Sequence, residues 1–274
     1  MILKPIRLFL SALSAAAIAI PFGANAAVVS DLLVYYNFDG QTNDQTGNAA
    51  AATLNGTASL TGTGYLGSAG GALDTSASIT MDAAVVPAGT HLDDAFNNNS
   101  MAVSFWQFNI ANQNSSAFWI HSPSVAGERG FQAHTPWGNG TIFFDQAGCC
   151  ANPQRVTTSG SSNGVWQHLV FQRDAAGVRE IWIDGVQAAL SHGDPAAALA
   201  AFNGVITIGA EGNTLNNSFN GQIDEFAIWS TPLSSADIQA LAAGGSTTSI
   251  LVPEPSSALL GLFGAGLLFF RRRR

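Results

Sequence analysis

Apolar residues in this chain gather in short blocks separated by glycine, asparagine and proline, and they form no heptad run. Nine blocks rich in β-branched and aromatic residues read as strands: 32–38, 77–81, 101–110, 117–121, 141–145, 166–173, 178–183, 205–209 and 222–229. Turn formers bound each block, as expected of strands. Two pairings are close to explicit. Block 166–173 turns through Asp174-Ala175-Ala176-Gly177 into 178–183, and Asp184-Gly185 then makes a tight turn into 186–190, extending the hairpin into a meander. One helix is expected late in the chain. Ser234 caps it, Asp237 completes a capping box, Ile238 and Leu241 form its apolar face, and Gly244 stops it. The sum is an all-β, antiparallel β-sandwich with one short C-terminal helix.

Two further apolar blocks, at the chain ends, have a different origin. Lys4 and Arg7 precede an apolar run at 8–20, and Ala24-Asn25-Ala26 forms an A-x-A cleavage site. Residues 1–26 therefore read as a signal peptide with its own helix. At the other end Val252-Pro253-Glu254-Pro255 leads into an apolar run at 256–270, and the chain stops on Arg271 to Arg274. This run is shorter than the roughly 20 residues that span a bilayer comfortably. Terminal arginines hold their end on the cytoplasmic side, so the hydrophobic tail helix suits a temporary stop during export.

The Pro-Glu-Pro entry, short apolar run and arginine cluster together resemble the PEP-CTERM sorting tail. That resemblance implies export by a Gram-negative, exopolysaccharide-producing bacterium and transient contact with the inner membrane. It also implies cleavage near Pro253-Glu254-Pro255 by an exosortase-type protease, and a final place at the cell surface or in the extracellular matrix. The expected organisation is 1–26 signal, 27–243 domain, 244–251 Gly/Ser/Thr linker and 252–274 tail.

Setting the end segments aside changes the charge. Six of the 10 Lys and Arg residues lie in them, leaving four arginines (Arg129, Arg155, Arg173, Arg179) against 13 Asp and four Glu, so 4 − 17 = −13. A domain this acidic excludes a nucleic-acid partner, which would require a cationic surface.

Trp166-Gln167-His168-Leu169-Val170-Phe171-Gln172-Arg173-Asp174, followed by Ile181-Trp182-Ile183-Asp184-Gly185, resembles the central hairpin of laminin-G-like domains. These belong to the concanavalin-A-like lectin/glucanase superfamily. Phe219 to Trp229, running into Pro232-Leu233-Ser234 and the helix, is similar to its closing strand, and Val34 to Gly40 to its first strand. The resemblance spans roughly residues 30–243 and implies a jelly-roll sandwich of two large sheets. Such folds host lectins, enzymes and structural modules alike.

The chemistry is sparse. The glucanase pattern E-x-D-x-x-E is not met: its first acid is Gln222 here, and Asp224 and Glu225, being adjacent, are expected on opposite faces of a strand. There is no G-x-S-x-G elbow, and no His/Cys spacing for zinc. We therefore expect no enzyme. Structural Ca2+ is one reading of the loop acids, with Asp39, Asp44 and Asp224 as ligands; the other is that Asp and Asn build turns. Cys149 and Cys150 are neighbours and, in an oxidising compartment, form a candidate vicinal disulfide; a reduced pair or a bridge to another chain are the alternatives.

Trp106, Trp166, Trp182 and Trp229 lie in strand blocks and are expected in the core. Trp119 and Trp137, with His134, are the candidate sugar platform, and core filling is their alternative. The chain thus reads as an exported, lectin-like binder of extracellular polysaccharide or glycan. A structural biofilm-matrix protein acting through protein contacts and a polysaccharide-cleaving glycosidase are the alternatives.

Overall fold

The computed structural model describes residues 31–65, 70–193, 195–212 and 214–248. The signal segment 1–26, the end of the linker and the sorting motif Val252, Pro253, Glu254, Pro255 with its tail lie outside the described residues.

Among the described residues fifteen strands form two antiparallel sheets. In chain order they are β1 (Leu32–Tyr36), β2 (Thr53–Asn55), β3 (Ser59–Thr61), β4 (Ala72–Asp74), β5 (Ala83–Val86), β6 (Met101–Asn109), β7 (Phe118–His121) and β8 (Arg129–His134). Then follow β9 (Thr141–Gln146), β10 (Arg155–Ser159), β11 (Trp166–Arg173), β12 (Arg179–Ile183), β13 (Val186–Gln187), β14 (Ile206–Ile208) and β15 (Gly221–Trp229). Helix α1 (Asp93–Asn98) precedes β6, and α2 (Ser235–Ala242) follows β15. The eight-stranded sheet runs β13-β12-β11-β6-β15-β4-β3, with β1 also on β15; the seven-stranded sheet runs β10-β9-β8-β7-β14-β5-β2. This is the expected sandwich.

The β11–β12 hairpin pairs Phe171 with Ile181, and the Asp184-Gly185 turn that carries β12 into β13 has both residues left-handed (φ 49 and 78). Those angles suit a two-residue turn matched to strand twist, where glycine is unstrained. Helix α2 carries the expected capping box between Ser234 and Asp237. Two expectations fail. Residues 77–81 form no strand: Met81 is left-handed (φ 73), and Ile79 and Met81 are 67% and 51% exposed. The strand begins later, at Ala83. The third strand of the meander is only β13: Ala188 N still donates to Ile181 O at 2.9 Å, and the chain then leaves β12, Ser191 N donating to Thr157 O at 2.9 Å.

Strand alternation sends every second residue into the space between the sheets. Phe105, Phe171 and Phe226 from the eight-stranded sheet meet Phe118, Phe131 and Phe144 from the seven-stranded one, with edge-to-face contacts such as Phe105–Phe118 at 5.9 Å and Phe144–Phe171 at 5.6 Å. Such rings dominate core energetics.

Trp106, Trp182 and Trp229 are buried as expected, though on the outer face of the eight-stranded sheet and not between the sheets, and Trp166 is half-buried. Trp182 and Trp229 belong to a second cluster, packed with Val170, Ala227 and, from the C-terminal segment, Leu233, Ile238 and Leu241. Trp106 lies on the same outer face, stacked on Tyr65 at 3.4 Å, and Trp166 meets Tyr65 edge-on at 6.3 Å. His168 is buried beside them. Its Nε2 is 2.8 Å from Ser104 Oγ, its Nδ1 has no partner, and burial pulls its pKa down to about 3.

Candidate functional site

The outer face of the seven-stranded sheet is where side chains with chemistry converge. Because Phe118, Ile120, Phe131, Ala133, Ile142 and Phe144 face the core, their neighbours in β7, β8 and β9 face outward. Cross-strand register then aligns Thr207, Trp119, Gln132, Asp145 and Arg155 in one row across five strands. Adjacent members of such a row sit close enough to interact.

Asp145 anchors one end. Arg155 donates to it from Nε and Nη2, both at 2.6 Å, and Gln132 Nε2 donates to Oδ2 at 3.1 Å. Burial alone would raise the Asp145 pKa, but the Arg155 and His134 contacts outweigh it and hold the carboxyl below the usual range. His134 Nε2 stands 3.7 Å from Asp145, and its Nδ1 is 2.8 Å from Ser116 Oγ. Trp137 packs edge-on against His134 at 4.8 Å, while Trp119 and His134 are 6.4 Å apart.

Trp119, His134 and Trp137 are thus brought together, though their exposure differs. Trp137 is half-buried, whereas Trp119 and His134 are each 2% exposed. The Arg129 guanidinium covers Trp119 at 4.8 Å from the ring centroid, and the indole Nε1 donates to Glu128 O at 3.1 Å. Trp137, not Trp119, has surface to offer a ligand.

Beside the row lies a groove of about 480 Å³, lined by Val85, His121, Glu128, Thr207, Leu215 and other residues. That volume suits a small ligand. In it His121 links Glu128 Oε2 (2.9 Å from Nδ1) to Thr207 Oγ1 (3.0 Å from Nε2). Glu128 itself is left-handed (φ 56), the backbone twist that turns its carboxylate towards His121. A larger hollow of about 710 Å³ opens near the two ends of the domain, between Tyr35, His91 and Thr248. It adjoins neither the charged row nor Trp137, so the smaller groove is the better candidate. Sequence reading missed Gln132, Asp145, Arg155, His121, Glu128 and Thr207. The available signal was the outward parity of Asp145 and Arg155 in adjacent strands.

Of the two readings of the acidic loop residues, Asp44 fits turn building. Asp44 accepts hydrogen bonds from Tyr35 N, Thr46 N, Thr46 Oγ1, Asn48 N and Ala49 N. These commit its oxygens to holding the loop, so Asp44 is a turn builder and not a free ligand. Among the described residues no group of three His, Cys, Asp or Glu is placed to hold a metal, so the set Asp39, Asp44 and Asp224 is not assembled.

Asp39 and Asp224 do come under each other's influence. Asp224 accepts from Tyr65 N at 2.8 Å, and burial, with Glu225 and Asp39 adding, raises its pKa to about 7. Glu225 is also raised, by burial first, and accepts from Tyr35 Oη at 2.6 Å. The expectation that Asp224 and Glu225 face opposite ways is overturned. A β-bulge with Glu225 left-handed (φ 53) interrupts alternation between Asp224 and Ala227, so both carboxylates turn away from the core. Cys149 and Cys150 are disulfide-bonded to each other in the β9–β10 loop.

No characterised protein matches the chain in sequence. Among solved structures, domain 4 of a GH43 extracellular arabinanase from Geobacillus stearothermophilus, in complex with arabinotriose, is similar at 21% identity with a TM-score of 0.56. The match covers 77% of this chain and 98% of that one. The receptor-binding domain of botulinum neurotoxin C/D mosaic serotype is similar at 15% identity and TM-score 0.60, over 78% of this chain and 51% of that one. The binding domain of Paraclostridial Mosquitocidal Protein 1 follows at 14% identity and TM-score 0.57, over 78% and 52%. This chain therefore spans about half of those toxin domains, and at such identities the likeness concerns the fold alone.

Residues 251–274 match the PEP-CTERM protein-sorting motif, so the C-terminus carries a sorting signal. Residues 76–239, more than half of the chain, match a laminin-G-type model, and the chain belongs to the concanavalin A-like lectin/glucanases superfamily.

Proposed function

We propose that the exported domain is a non-catalytic module that binds an extracellular polysaccharide through the outer face of its seven-stranded sheet. The observation that carries this reading is the row from Thr207 to Arg155, hydrogen-bonded from Gln132 through Asp145 to Arg155 and flanked by half-buried Trp137 and by a groove of about 480 Å³. An aromatic face beside fixed polar groups is what sugar recognition requires. The similar arabinanase domain was solved with arabinotriose, and the toxin domains are binding domains, which lends support. In this reading an exosortase-type protease removes the tail after transient inner-membrane anchorage, leaving the domain at the cell surface or in the matrix.

A structural Ca2+ belongs to the same proposal. Exposed Asp39 and buried Asp224 would hold it, with backbone carbonyls or water as further ligands, and it would offset the repulsion that Glu225 and Asp39 exert on Asp224. Chelation should lower the melting temperature, and Asp224→Asn should remove that sensitivity.

The test of glycan binding is a panel of neutral and acidic polysaccharides offered to the full chain, with and without Trp137→Ala. Loss of one stacking platform should weaken binding about tenfold, equivalent to about 1.4 kcal/mol, with an unchanged melting temperature. Silence across the panel from a folded sample would favour a structural matrix protein. One observation favours cleavage instead, the bulge that turns Asp224 and Glu225 to the same side. Release of reducing ends, abolished by Glu225→Gln, would establish that reading.

A further inference from the structure

Of the four arginines in the exported domain, three have oxygen partners. Arg155 grips Asp145, Arg173 donates to Asn99 and Ala197, and Arg179 donates to the carbonyls of Gln154 and Pro153. The Arg129 side chain has no hydrogen bond or ion pair among the described residues; its guanidinium lies over the face of Trp119. In a domain with 17 carboxylates and four arginines, an unpaired guanidinium on the candidate binding face stands out.

The local backbone builds this arrangement. Gly127 and Glu128 are both left-handed (φ 69 and 56) and reverse the chain just before β8. A Cβ on Gly127 would sit 3.2 Å from Arg129 Nε, so the missing side chain leaves the room in which the guanidinium lies. The neighbouring carboxylate, Glu128, turns to His121 Nδ1 at 2.9 Å. Trp119 is held in turn by its hydrogen bond to Glu128 O, with Gly212 close against its ring. Arg129 is left with an indole on one side and N–H groups that no described residue accepts. It does not itself line the groove, but it follows Glu128 in the chain and covers Trp119, and both Glu128 and Gly212, which packs on that ring, line it. A guanidinium is a planar fork that matches a carboxylate bidentately.

We propose that Arg129 anchors the carboxylate of a sugar acid, so that the polysaccharide bound by this domain is an acidic one carrying hexuronate units. The inference rests on the glycan-binding reading and names its ligand class. The sugar ring takes the groove, and the carboxylate meets the N–H edge of Arg129. The negative charge of the domain opposes a polyanion at long range, but at physiological salt it is screened over about 8 Å. Contact with Arg129 then decides.

The test compares a polyglucuronate with the same polymer after chemical reduction of its carboxyl groups, using the full chain. The native chain should bind the acidic form at least about tenfold more tightly, the worth of one charge-assisted pair. Arg129→Gln should bring the ratio of the two affinities to about one, and Arg129→Lys, a point charge without the fork, should restore only part of it. Equal binding of both polymers by the native chain overturns the inference and leaves the glycan reading standing. A preference that survives Arg129→Gln overturns it too. Failure to bind either polymer, or any other glycan, overturns the glycan reading itself. The comparison of polymers on the native chain needs no variant, so a poorly folding substitution does not remove the test.

Discussion

On the outside of the eight-stranded sheet, Val170, Trp182, Ala227 and Trp229 lie beneath Leu233, Ile238 and Leu241 of the C-terminal segment. On the outside of the seven-stranded sheet the matching layer is Thr207, Trp119, Gln132, Asp145 and Arg155. Both layers are nearly as inaccessible as the core, yet different things cover them. An amphipathic helix seals the first. Side chains seal the second: Arg129 lies over Trp119, Arg155 over Phe143 at 4.2 Å, and Trp137 against His134. Long side chains with apolar stems and charged heads can cover a surface and still present donors to a ligand. A helix gives a face to stability; movable side chains keep it open to binding.

The sharpest way to break this contrast is to remove the helix-covered anchor. Trp229 is fully buried, and Trp229→Ala should cost about 3–5 kcal/mol, read by urea unfolding, without changing which glycan is preferred. On the other face Arg155→Met should cost a comparable but smaller amount, about 3 kcal/mol, because Asp145 would stay buried without its cation. That variant should lose glycan binding as well, since Asp145 and Gln132 would no longer be held. Equal binding by native and Arg155→Met chains would remove the charged row from the site.

Acid sharpens the contrast further. The folded pKa of His168, about 3, lies below its ordinary 6.5, so the unfolded chain binds the extra proton between those values. Stability from this group is complete above pH 6.5 and falls as pH drops towards 3, by up to about 1.4 kcal/mol per pH unit. His168→Gln should flatten that limb. Asp145 is also depressed, from 3.8, so its contribution is present above that value and lost only as pH falls through the lower folded one. Asp145→Asn should therefore change the profile only at still lower pH, a smaller effect under ordinary conditions. A His168→Gln profile that matches the native one between pH 6.5 and 3 would sink the assignment.

Much of the eight-stranded sheet was legible before any coordinates. The β11–β12–β13 meander, the closing strand β15 and the capped helix α2 are written in local signals: apolar blocks, an Asp-Gly turn between β12 and β13, a Ser/Asp pair three residues apart. The strand β8, Arg-Gly-Phe-Gln-Ala-His, was not. Its outward residues belong to the candidate site, so it is too polar and too glycine-containing to read as a strand. Strand β10, Arg-Val-Thr-Thr-Ser, was hidden for the same reason. Residues 77–81 misled in the opposite sense, being β-formers that no partner strand takes up. Trp119, His134 and Trp137 were recognised as a group by residue type, but the ion pair that organises them joins positions on separate strands, and no local pattern announces it.

The sorting signal, the turns, the helix cap and the class of the fold depend on residues adjacent in the chain, and they follow from the order of amino acids. Which face a tryptophan takes, whether Asp224 and Glu225 diverge or align, and why Arg129 has no oxygen partner among the described residues depend on register between strands that lie far apart in sequence. A single bulge at Glu225 reverses the alternation that adjacent residues would otherwise obey, and only the packed sheets decide where that bulge falls.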